Sequence, residues 1–135
     1  MAMRKKNPSE AGFTLIELMV VMLIIGVLMT IAIPNFVSAI KAAKESVLKE
    51  DLHVMRNAID SYTMDRQKAP QSLQDLVENG YLKTIPVDPM TRSSETWQPE
   101  TTDSLRSVDQ SDPGIDDVHS GSQEPSNDGS LYSTW

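Results

Sequence analysis

A basic leader ending in Gly12 runs straight into an apolar stretch that contains a single acid, and this junction constrains the chain more than any other feature. Arg4, Lys5 and Lys6 precede Gly12-Phe13-Thr14-Leu15-Ile16-Glu17-Leu18, and from Leu18 to Ile40 no side chain is charged. As helix, such a run rises roughly 1.5 Å per residue and crosses a bilayer core of about 30 Å. Glu17 is out of place there. An acid inside a membrane helix costs on the order of 2.5–3.5 kcal/mol on insertion scales, so it needs a partner or a proton.

Three ordinary explanations compete for the segment. A secretory signal peptide has a shorter apolar core with a small-residue cut behind it, whereas here the candidate cut lies in front of the run. A plain signal anchor accounts for the span and for the Arg4, Lys5, Lys6 cluster, which holds the amino end in the cytoplasm, but it leaves Glu17 incidental. A buried helix of a soluble protein has no need of so long a charge-free run.

The residues Gly12 to Leu18 resemble the cleavage and methylation signature of type IV prepilins and of the pseudopilins of type II secretion. The resemblance implies that a membrane-embedded prepilin peptidase cuts after Gly12 and methylates the new amino terminus at Phe13. It also implies an assembly role for Glu17, which physical reasoning supports: a buried carboxylate finds a partner in the free amino terminus of a neighbouring, axially staggered copy. Gly26 and Pro34 fall where the family's long helix is loosened, and a proline inside a helix removes one backbone hydrogen bond, so Pro34 is expected to mark a kink.

Beyond Pro34 the apolar pattern becomes helical and one-sided. Leu48, Leu52, Met55, Ile59 and Tyr62 recur every three or four positions, preceded by Val37, Ile40 and Val47. Lys41, Lys44, Glu45, Lys49, Glu50, Asp51, Arg56, Asp60 and Asp65 fall mostly on the other faces, the pattern of a solvated helix surface. His53 among them reads as a surface side chain, because no second histidine or acid cluster has metal-site spacing with it. Ala69-Pro70 is expected to end this helix. A short helix then starts at Ser72, with Asp75 three residues on as a loose capping box, Leu73, Leu76 and Val77 as its apolar edge, and Asn79-Gly80 as its stop. Tyr81, Leu82 and Ile85 pack it onto the long helix.

Turn signals dominate the rest: Pro86, Asp88-Pro89, Asp112-Pro113-Gly114, Ser120-Gly121 and Asn127-Asp128-Gly129. Candidate strands are Thr96 to Gln98, Gly114 to His119, and Leu131-Tyr132. Pro99 is expected to close the first, and the polar stretch from there to Gln110 reads as a long loop. Ile115 and Val118 do not alternate cleanly, which points to an edge strand or a bulge.

Composition excludes several chemistries. The 135 residues contain no cysteine, so there is no disulfide scaffold, thiolate metal site or cysteine nucleophile. From Ile85 to Trp135 ten acids face only Arg92 and Arg106, which argues against nucleic acid as a partner. Only His53 and His119 could serve a histidine-dependent mechanism, no phosphate loop appears, and Asp116 and Asp117 are adjacent, so in a strand they point to opposite faces. The chain reads as a non-enzyme. Acids and turn glycines, together with the calcium site of the family's G-type members, raise a calcium ion held by Ser120, Ser122, Asn127 and Asp128. Polar turns without a metal explain the same residues.

The expected fold is α+β and pilin-like: a long N-terminal helix, membrane-spanning in its first half, with a small C-terminal antiparallel sheet and long loops. The expected division is a cleaved leader over 1–12, a membrane and filament-core helix over 13–40, its amphipathic continuation over 41–66, and a small head over 67–135. The moderate likeness of Ala69 to Pro89 points to the major, G-type pseudopilin. It implies an inner-membrane subunit, amino end cytoplasmic and head periplasmic, that assembles with copies of itself, minor pseudopilins and the inner-membrane secretion platform, with lipid as its partner before assembly. A type IV pilin, or a single-pass signal anchor with a binding head, are the alternatives.

Overall fold

A computed structural model describes residues 8–101 and 113–135. The leader charges Arg4 to Lys6 and the loop expected up to Gln110 fall partly or wholly outside the described residues. The chain divides into two compact units between Ile40 and Lys41.

The described residues of the first unit, 8–40, are all helical. Helix α1, Pro8–Arg66, begins here, continues into the second unit, and runs unbroken through Pro34. Apolar side chains on every face are exposed, from Phe13, Leu15 and Ile16 through Ile24 and Leu28 to Phe36 and Val37. A helix apolar all round is stable only where something other than water covers it. Among the described residues, this is the one helix long and apolar enough to cross a membrane, and its apolar window is not buried within the chain.

The second unit is built on the remainder of α1. Leu48, Leu52, Met55, Ala58, Ile59 and Tyr62 are buried on one face, as the three-and-four spacing requires, and join Leu76, Leu82, Trp97, Ile115, Val118 and Tyr132 in one core. Val37, Ile40 and Val47, earlier members of the stripe, are exposed. Helix α1 stops at Arg66, three residues before Ala69. The stop is set by Gln67, whose φ of 56° places it in the left-handed region, and its side-chain amide donates to the Met64 carbonyl at 2.7 Å. The proline signal at Ala69-Pro70 therefore lies beyond the true end of the helix.

Helix α2, Leu73–Glu78, has the full capping box: the Asp75 N–H donates to Ser72 Oγ, and the Ser72 N–H to the Asp75 carboxylate. Leu76 is its buried residue, and Gly80, at φ 82°, turns the chain away. Strand β1, Gln98–Thr101, pairs antiparallel with β2, Ile115–His119. Here the expectation for Pro99 is corrected. Pro99 lies inside β1, paired with Val118, because a two-stranded sheet is all edge and a proline there needs no ladder donor on its outer side.

The register shifts between Glu100, opposite Asp117, and Thr101, opposite Ile115. That bulge at Asp116 resets the alternation, so that Ile115 and Val118, three apart, are both buried. Leu131 makes a bridge to Pro125, and Tyr132–Thr134 form a single 3-10 turn instead of the expected strand.

Candidate functional site

The residues of the amino-terminal junction all lie on α1. Gly12 has open space where a Cβ would sit, Phe13 is 71% exposed, and Glu17 is exposed among exposed Leu15, Ile16, Leu18 and Met19. With apolar side chains on every face around it, the Glu17 carboxylate is the only formal charge from Gly12 to Ile40. Along the same helix Thr30 Oγ1 donates to the Gly26 carbonyl at 2.9 Å.

Contacts in the second unit draw distant segments onto α1. The Glu45 carboxylate accepts from the Asn127 N–H at 3.0 Å, from Asn127 Nδ2 at 3.3 Å and from the Tyr132 hydroxyl at 2.8 Å. Arg56 Nε donates to Asp117 Oδ1 at 2.6 Å, and its Nη2 donates to the main-chain oxygens of Val118 and Trp135 at 3.0 and 2.6 Å. Partial burial works to raise the Asp117 carboxyl, but the Val118 N–H and the Arg56 guanidinium outweigh it and hold the group below its ordinary value. Asp88, fully buried, accepts from the Ser120 hydroxyl at 2.5 Å and from the Met90 N–H at 2.8 Å. Glu45, Arg56 and Asp88 stood out in the sequence only as surface or turn residues, and Tyr132 only as part of a candidate strand. Their partners are tens of residues away, and local spacing carries no signal for that.

The four candidate calcium ligands fall into two hydrogen-bonded sets. Ser120 is spent on Asp88, and it accepts the Ser122 N–H at 3.2 Å while Ser122 Oγ accepts from Glu124 at 3.3 Å. Asn127 turns its donors to Glu45, and Asp128 Oδ1 accepts from the Ser126 hydroxyl and from the Ser130 N–H and hydroxyl. Those bonds, the Ser126 hydroxyl foremost, bring the Asp128 carboxyl to about 2. Calcium takes six to eight oxygens, several of them charged, and this set offers one carboxylate that is already saturated on one oxygen. As arranged, the four residues do not fit the ion. His53 is exposed, with Nε2 facing Asn57 Nδ2 at 3.0 Å, as a surface residue would be.

Residues 7–33 match the family model described as the prokaryotic N-terminal methylation motif. The chain is 38% identical over 96 residues to the type II secretion system core protein G of Pseudomonas aeruginosa, an alignment covering 59% of this chain and 68% of that protein. It is 35% identical over 101 residues to the protein of the same name from Escherichia coli, covering 63% and 70%. The chain belongs to the type II secretion system core protein G family. Similarity to the type IV major pilin protein PilA of Myxococcus xanthus, 41% over 68 residues, spans half of this chain but only 31% of that protein. No solved structure matches the chain.

Membership of the core protein G family makes sense of an apolar helix that none of the described residues covers. The methylation motif embraces Gly12, Phe13, Glu17 and most of the charge-free run, which fits a single-pass protein anchored in the inner membrane. Core protein G chains are structural subunits, and the polar clusters of the second unit are tied into packing contacts.

Proposed function

We propose that this chain is a subunit of the type II secretion pseudopilus, cut by a prepilin peptidase after Gly12, methylated at Phe13 and polymerised through Glu17. Residues 1–12 are the leader, 13–40 the membrane helix that becomes the filament core, 41–66 its amphipathic continuation and 67–135 the head. The amino end begins in the cytoplasm and the head lies in the periplasm. One observation carries the reading: a lone carboxylate, the fifth residue after the cut, stands in a helix that is apolar on all faces and uncovered by the described residues.

Lipid covers that surface before assembly and the same helix of neighbouring copies covers it afterwards, so it stays out of water throughout. Identical copies joined head to tail through a non-closing interface make a helical filament. The free amino group of Phe13 on the incoming copy neutralises Glu17 where water cannot. Minor pseudopilins and the inner-membrane platform are the remaining partners, and the assembled filament pushes folded proteins toward an outer-membrane channel.

The test is Glu17→Ala and Glu17→Gln, each expressed at native level as the only copy. Removing one member of a buried pair leaves the other uncompensated at about 3–5 kcal/mol per joint. Both variants should insert and lose the leader normally, yet form no pseudopili and release no exported protein. Normal filaments and secretion from Glu17→Ala would return Glu17 to an incidental place in a signal anchor. Surface pili that support adhesion or DNA uptake, without loss of secretion in the variant, would favour the type IV pilin assignment.

A further inference from the structure

On the outer face of the β1–β2 hairpin, Glu100, Asp117 and His119 bring one ligand atom each within 4.8 Å of one another. The register explains the cluster. Glu100 pairs directly with Asp117, and His119 lies two residues further along β2 on the same face, opposite to that of the buried Val118. His119 Nε2 is 3.0 Å from Glu100 Oε2 and 3.6 Å from Asp117 Oδ2. Its other nitrogen, Nδ1, lies 2.6 Å from the main-chain oxygen of Trp135.

Both ring nitrogens therefore face oxygens that only accept. A neutral imidazole carries one N–H, and the short contact to Trp135 claims it for Nδ1. With that tautomer Nε2 aims a lone pair at two carboxylates, and a cation must sit among them, either a second ring proton or a metal ion. An imidazole whose Nδ1–H is held by a main-chain oxygen while Nε2 is free is how proteins orient a metal-binding histidine. Tetrahedral zinc with N and O ligands at about 2.0–2.2 Å requires ligand-to-ligand separations of roughly 3.3–3.5 Å, and the two observed distances bracket that value.

The geometry points to a divalent metal site, of zinc type, formed by His119 Nε2, Asp117 Oδ2 and Glu100 Oε2, with a fourth position open to solvent. Arg56 positions two parts of it at once. Its Nε holds Asp117 Oδ1 at 2.6 Å, which leaves Oδ2 for the ion, and its Nη2 holds the same Trp135 oxygen that orients the ring. The guanidinium also offsets one of the two ligand carboxylate charges. A bound ion would join β1, β2 and the chain's last residues at one point.

The experiment titrates detergent-solubilised full chain with Zn2+ by calorimetry and with Co2+ by visible absorption, whose d–d bands report coordination number. One ion per chain should bind, with four-coordinate cobalt bands. His119→Gln and Glu100→Gln should each weaken Zn2+ binding at least about tenfold, the size of effect that even an outer-shell partner produces. His53→Gln and Asp128→Asn should leave it unchanged. Glu100 is exposed, so its variant keeps the fold and separates lost ligation from misfolding. Absence of stoichiometric Zn2+ binding, or binding that both ligand variants retain, would overturn the site. So would nitrogen NMR of the Zn2+-treated chain showing His119 still protonated on both nitrogens, which would leave an imidazolium ion pair as the cation among the carboxylates.

Discussion

The Tyr132 hydroxyl donates a 2.8 Å hydrogen bond to Glu45 Oε1, joining residues 87 apart in sequence. With the two bonds from Asn127, this one carboxylate on α1 holds both the 126–130 turn and the terminal 3-10 turn. Glu45→Ala leaves the Tyr132 hydroxyl, on a side chain only 1% exposed, without its partner, which costs about 1–3 kcal/mol. Glu45→Gln keeps an acceptor and should fall well short of that loss. Denaturant unfolding of the solubilised chain compares the two, and equal stability of Glu45→Ala and the parent would remove the contact from the account.

The same pair sets a sign for alkaline stability. Burial first, then the Glu45 hydrogen bond and charge, push the Tyr132 phenol from 10 up to about 12. Between those values the folded chain keeps a proton that the unfolded chain has released, so stability present in full below pH about 10 is lost as the pH rises toward 12. Tyr132→Phe has no such proton. Its unfolding free energy should fall less steeply than the parent's between pH 10 and 11.5, and parallel slopes would count against the assignment.

At Gly121 a Cβ would sit 2.2 Å from the Thr96 carbonyl oxygen and 3.2 Å from Thr96 Cβ. The obstacle is backbone, which cannot swing aside as a flexible side chain can. Gly121→Ala should therefore cost about 1–3 kcal/mol through overpacking, read as a lower denaturant midpoint with an unchanged slope. An unchanged midpoint would mean that the 120–122 turn and the segment before β1 separate freely.

Processing offers a test independent of the head. Among the described residues a Cβ at Gly12 meets nothing within 4 Å, so an intolerance of a side chain there points to the peptidase. Gly12→Val should insert and fold as the parent does but retain the leader in a peptidase-positive host, as amino-terminal mass analysis will read. A mature Phe13 start in that variant would place the cleavage determinant elsewhere.

How much of this was legible in the residues depends on the range over which each signal acts. The membrane helix, its lone acid and the cut before it follow from a contiguous run of side chains, because transfer into lipid depends on composition along one segment. The buried stripe of α1 and the Ser72–Asp75 box were equally plain, since both rest on contacts within one or two helical turns. What stops α1 at Arg66 is Gln67 in a left-handed conformation, for which its residue type gives no warning, and not the Ala69-Pro70 signal three residues on. Strand β1 was missed past Pro99 for a related reason: a proline's cost depends on whether a neighbouring strand needs its N–H, and only the sheet's width decides that. Glu45 with Tyr132, Asp88 with Ser120, and the meeting of Glu100, Asp117 and His119 belong wholly to the tertiary structure. A carboxylate's partner tens of residues away is chosen by which backbone segments pack together, and the sequence around the carboxylate reads as an ordinary solvated face until they do.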